Sequence, residues 1–175
     1  MCHMLIKQGV YNMKKTLSLI FALLLIVSLV GCSEKIAVND DDMLDIITKE
    51  LDLDVSVKRI GTIDLDEVTL VSYMTGNEYQ AYTYGYAEFE KHKDNYKFIR
   101  TYSMMKRGMD LNSAMYNDSY LFIINNENCK SLWISFESGQ EELISVDKIP
   151  FVYFLENALN SNFEYQFLDK NDEEI

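Results

Sequence analysis

The stretch Tyr79-Gln80-Ala81-Tyr82-Thr83-Tyr84-Gly85-Tyr86-Ala87-Glu88-Phe89-Glu90 decides the fold. Tyrosines alternate with small residues at a period of two, which is strand spacing and not helix spacing. As a strand, it puts Tyr82, Tyr84, Tyr86, Glu88, Glu90 and His92 on one face. Ala81, Thr83, Gly85 and Ala87 fall on the other, where a helix could approach closely. Tyrosine offers rigid apolar area with a polar tip, so Tyr82, Tyr84, Tyr86, Glu88 and Glu90 form a candidate ligand-binding platform. The competing reading is a half-buried sheet face, on which tyrosine is simply a good strand former.

Working outward, the polar cluster His92-Lys93-Asp94-Asn95 reads as a turn between strands near 78–91 and 95–106. Upstream, Leu53, Val55 and Val57 alternate, as do Val68, Leu70, Ser72 and Met74; Asp64-Leu65-Asp66-Glu67 reads as the turn between them. Downstream, a looser stretch covers 107–118, followed by strands at 120–124 and 131–136 joined as a hairpin through Asn125-Asn126-Glu127-Asn128. Glu137-Ser138-Gly139 turns the chain into a strand at 142–146.

Two helices are expected. Asn39-Asp40-Asp41-Asp42 reads as a helix start, because Asn caps and acids favour the positive end of the helix dipole. Met43, Ile46, Ile47 and Leu51 then form an apolar stripe over 41–51. The acidic run fails as a calcium loop: counting from Asn39, the sixth position is Leu44, where Gly is needed. Pro150 opens the second predicted helix, in which Phe151, Phe154, Leu155, Ala158 and Leu159 share one face. Phe163, Tyr165 and Phe167 alternate in a last strand. The expected class is α+β: an antiparallel β-meander with an N-terminal helix and a C-terminal helix followed by a last strand.

The N-terminal region carries a different signal. Lys14 and Lys15 precede an apolar stretch over 17–30, about 14 residues broken only by Ser18 and Ser28. A comfortable membrane span needs roughly 20 residues, so this length suits a secretory leader. Leu29-Val30-Gly31-Cys32 closes it. The segment resembles the signal peptide and lipobox of a bacterial lipoprotein. That resemblance implies peptidase recognition at Leu29, Val30 and Gly31, lipid attachment at Cys32, and residence on the extracytoplasmic face of the cell membrane. On this reading 1–12 is an over-long start, 13–31 the signal peptide, 32–39 a tether, and 40–175 a single globular domain.

The chain from Cys32 onward has 144 residues, enough for one ordinary core. Three of the sixteen basic residues and none of the twenty-eight acids precede Cys32, so this part carries −15 against −12 for the whole. Such a surface disfavours nucleic acid and anionic headgroups and attracts cations. With Cys32 lipidated, Cys129 has no disulfide partner and reads as a structural thiol. His92 is the one histidine left, and nothing near it completes a nucleophilic triad. No catalytic set, cofactor motif or metal set is read. Glu88 and Glu90, at i and i+2, are the only carboxylate pair worth weighing for a cell-envelope hydrolase.

The expected function is therefore a lipid-anchored binding or accessory protein, with the membrane as one partner. The layout also resembles the lantibiotic immunity lipoproteins, which are small, anchored and extracytoplasmic. That resemblance implies capture of a cationic antimicrobial peptide and covers the architecture and lipobox only.

Overall fold

A computed structural model describes residues 34–52, 56–76, 82–106, 110–160 and 162–175. The lipobox and Cys32 lie outside the described residues, as do Leu53, Val55, Tyr79 and Ala81. Helix α1 spans Asp40–Leu51. The side chain of Asn39 caps it, accepting from the Asp42 amide at 2.9 Å, and Asp40, Asp41 and Asp42 occupy its first turn.

The strands are β1 (Ile36–Ala37), β2 (Val57–Asp64), β3 (Val68–Thr75), β4 (Thr83–His92), β5 (Asn95–Ser103) and β6 (Met105–Lys106), then β7 (Leu111–Tyr116), β8 (Ser119–Ile124), β9 (Ser131–Phe136), β10 (Glu141–Ser145), β11 (Phe151–Leu155) and β12 (Phe163–Leu168). Among the described residues all pair antiparallel, but in three sheets instead of one meander. Sheet A runs β1-β5-β4-β3-β2, sheet B β11-β8-β7-β6, and sheet C β10-β9-β12.

The layers follow from side-chain alternation. Val71, Tyr73, Ala87 and Phe89 on one face of sheet A pack against Met43 and Ile47 of α1. Leu70, Tyr84 and Tyr86 on the other face meet Leu121, Ile123 and Tyr116 of sheet B. The reverse face of sheet B, with Leu111, Phe122 and Ile124, packs on Leu132, Ile134 and Phe167 of sheet C. Sheet B is thus buried on both sides.

At Gly85 the close approach expected of a helix on the small face of β4 is made instead by tyrosines of the two neighbouring strands. A Cβ there would meet the Tyr73 ring and the Tyr102 carbonyl oxygen at 2.5 Å. Backbone cannot yield as a flexible tip can, so Gly85→Ala is expected to cost about 1–3 kcal/mol in a denaturant melt. An unchanged midpoint would refute the argument.

Four expectations are corrected. The second helix is absent: 151–155 is strand β11, and only Ala158–Asn160 forms a single 3₁₀ turn. Phe151 and Phe154 therefore point to opposite faces, toward sheets C and A, and Leu159 is 53% exposed. A strand covered on both faces is apolar at every position, so Phe151-Val152-Tyr153-Phe154-Leu155 fits a helical period as well as any other. Pairing with β8 over five residues settles it. The looser stretch contains β7, whose polar members Asn112 and Ser113 are buried between sheets. β8 and β9 form no hairpin, because 125–130 carries the chain from sheet B to sheet C. Ile36 and Ala37, expected within a free segment over 32–39, instead pair with Lys97 and Tyr96 at the edge of sheet A.

Candidate functional site

β4 presents Tyr84, Tyr86, Glu88 and Glu90 on the face toward sheet B, as alternation requires. Sheet B does not cover all of it. Tyr84 and Tyr86 are buried at 4% and 2% exposure, Tyr82 is half-buried, and Glu88 and Glu90 lie farther along at the margin of cover. The tyrosine platform is thus corrected: its centre is an interior contact, not an open surface. Tyr84 accepts from the Asn125 side chain at 2.9 Å, and Tyr86 donates to the Met115 carbonyl at 3.0 Å. Burying an aromatic face between sheets stabilises more than leaving it wet.

Three clefts are lined by these residues and their neighbours. One, about 340 Å³, is lined by Tyr86, Tyr102, Ser103, Ser113, Ala114, Met115 and Tyr120. A second, about 540 Å³, is lined by Asp66, Glu67, Val68, Glu88, Glu90, Lys91 and Ile99. A third, about 280 Å³, shares Asp66 and adds Asp64, Asp118 and Glu156 with Tyr116 and Phe154. The last two hold seven different carboxylates against one lysine, Lys91. Lys91 is engaged, donating to the Leu65 carbonyl at 2.6 Å and lying 3.2 Å from Asp64. A hydrogen bond from Thr69 and then the Lys91 charge hold the Asp64 carboxyl below its ordinary range.

Glu88 joins the aromatic cleft to the acidic ones. Tyr116 donates to its Oε1 at 3.0 Å; Arg100 Nε and the Tyr102 hydroxyl approach Oε2 at 3.1 and 3.4 Å. Tyr102 stacks on Tyr86 at 4.6 Å between centroids, and Tyr116 meets Tyr86 edge-on at 6.0 Å. Burial, reinforced by the hydrogen bond to Glu88 and then by its charge, pushes the Tyr116 hydroxyl up to about 12; Tyr86 is raised by burial first and then by Tyr102 and Glu88, and Tyr102 by burial first and then by Glu88. Glu90 pairs with His92 at 3.2 Å.

Sequence reasoning found Tyr86, Glu88 and Glu90 but missed Arg100, Tyr102 and Tyr116. The cause is a bulge. β4 and β5 pair as Phe89↔Phe98 and then Glu88↔Arg100, leaving Ile99 as the extra residue. Plain alternation would put Phe98, Arg100 and Tyr102 on one face. The bulge leaves Phe98 with α1 and turns Arg100 and Tyr102 onto the Glu88 face.

The geometry suits binding of cations. Negative clefts walled by protein concentrate positive groups, and tyrosine rings accept them on their faces. Among the described residues, no group of three or more His, Cys, Asp or Glu could hold a metal ion. Cys129 is fully buried beside the Ser131 carbonyl, and burial raises its thiol. No protein-family model, curated protein or solved structure matches the chain.

Proposed function

We propose that the protein is an extracytoplasmic binding lipoprotein, anchored through Cys32, whose ligand is a cationic peptide or protein segment with apolar side chains. The observation that carries this reading is the strip of seven carboxylates running into a tyrosine-lined cleft. The lipobox-like Leu29-Val30-Gly31-Cys32 supports the anchor, and the charge of −15 beyond it supports a cationic partner. Anchoring raises the local concentration of the binder where a membrane-active peptide must arrive. An immunity role against a cationic antimicrobial peptide is the form this function takes if the ligand is itself membrane-active.

Two measurements test the parts separately. Cys32→Ala is expected to abolish lipid attachment and shift the protein out of the membrane fraction; an unmodified Cys32 in the wild-type protein from its native host overturns the anchor. Titration of the full chain with cationic membrane-active peptides should show binding that falls at least about ten-fold as salt shrinks the Debye length from about 30 Å to about 3 Å. No binding at low salt, or binding indifferent to salt, overturns the cationic ligand.

A further inference from the structure

We infer that Glu88, with the Tyr102 ring beside it, is the recognition point for a guanidinium or ammonium group of the ligand, and that Arg100 fills it in the free protein as an intramolecular stand-in. This deepens the proposed function and rests on it.

The pocket is built from below. Glu88 has a side chain only 12% exposed, and two tyrosine hydroxyls hold its two oxygens. Behind them, Tyr86 is fixed by stacking on Tyr102, by the edge of Tyr116 and by its own bond to the Met115 carbonyl. The platform is therefore rigid and largely dry, the condition under which a carboxylate recognises a cation best.

The occupant is built differently. The Arg100 side chain is 60% exposed. Its Nε reaches Glu88, and its guanidinium carbon stands 4.8 Å from the centre of the Tyr102 ring. That is the full chemistry of a cation site, a charge-assisted hydrogen bond plus a ring face. Arg100 enters from the solvent side and can leave. An ion pair with so exposed a partner contributes little, so a competing cation displaces it at small cost. Glu88 itself lines the cleft of about 540 Å³, whose other walls include Glu90, Asp66 and Ile99, on which the rest of the ligand would lie.

The alternative is that Glu88 and Arg100 are an ordinary cross-strand pair. The two accounts predict opposite results for removal of Arg100. The probe is Nα-acetyl-arginine N-methylamide, titrated by NMR into the full chain in non-ionic detergent at low salt, with the neutral citrulline analogue as reference. Arg100→Ala is expected to bind the arginine probe about two- to five-fold tighter, because the internal competitor is gone. Glu88→Gln, which keeps size and one acceptor, is expected to weaken binding at least about ten-fold. Lys58→Ala removes the same charge from an exposed position on β2, at the opposite edge of sheet A, and should change nothing.

Unchanged or weaker binding by Arg100→Ala overturns the inference. So does an equal gain in Lys58→Ala, which would make the effect one of net charge. Should Glu88→Gln fail to fold, as read by its thermal melt, the comparison of Arg100→Ala with Lys58→Ala decides alone. Probe binding in the expected pattern without any peptide binding leaves this site standing and removes the proposed function. Peptide binding indifferent to both Arg100→Ala and Glu88→Gln does the reverse.

Discussion

Phe122→Ala is expected to destabilise the fold by about 3–5 kcal/mol, the range for truncating a fully buried phenylalanine. Phe122 is 0% exposed on the face of sheet B that meets sheet C. Its ring lies 4.9 Å from Tyr165 and 6.4 Å from both Tyr153 and Phe167. β8 is interior to its sheet, flanked by β11 and β7, so the surrounding backbone is held on both sides and can collapse only partly into the void. Domains of this size have about 5–15 kcal/mol in all, so the variant should sit near the folding threshold. Leu143→Ala is the control: Leu143 is 64% exposed on β10 and should shift stability by less than about 0.5 kcal/mol. Urea melts of the two variants check both. A loss below about 1 kcal/mol for Phe122→Ala would contradict the two-sided burial of sheet B.

Alkali is expected to destabilise the fold progressively between about pH 10 and about pH 12. Burial pushes both Tyr84 and Tyr116 from 10.0 up to about 12 in the folded state. For Tyr84 the cause after burial is the Asn125 hydrogen bond, which opposes the rise, and then the Asp110 charge; for Tyr116 it is Glu88. A raised folded value means that the native state holds its phenolic proton more tightly than the unfolded chain does. Their contribution is therefore fully present below about pH 10 and is lost as pH climbs toward about 12. A loss of about 1–2 kcal/mol per tyrosine is expected, less than the full shift implies because open clefts adjoin Tyr116. Urea midpoints at stepped pH, with phenolate absorbance followed in parallel, measure it. Tyr116→Phe should flatten part of the slope. Phenolate formation that is complete near pH 10 with the fold intact would refute the argument.

Some of the fold was legible in the sequence because local chemistry alone settles it. Asn39 caps α1 wherever the helix docks, and Met43 and Ile47 mark its buried face. The turns at Lys93-Asp94 and Glu137-Ser138-Gly139 need only their own residues; Lys93 and Gly139 take the positive φ they require, 45° and 85°. β4 was readable because its faces differ, tyrosine and acid against small residues. β11 was not, because both its faces are covered and no contrast remains.

The candidate site divides in the same way. Glu88 and Glu90 share a face by strand alternation, which depends on nothing beyond the strand itself. That Tyr84 and Tyr86 face an interior follows only from where sheet B lies. A single extra residue, Ile99, reverses the facing of every later side chain on β5 and so delivers Arg100 and Tyr102 to Glu88. Such a bulge has no composition of its own and exists only as a register between two strands. Tyr116 reaches the same carboxylate from another sheet, 28 residues away in sequence. What the sequence determined by itself was charge, caps, turns and one two-faced strand, all set within a few neighbouring residues. Which faces became interior, and which distant side chains meet at one carboxylate, was decided by sheet packing, because burial and register are properties of pairs of segments.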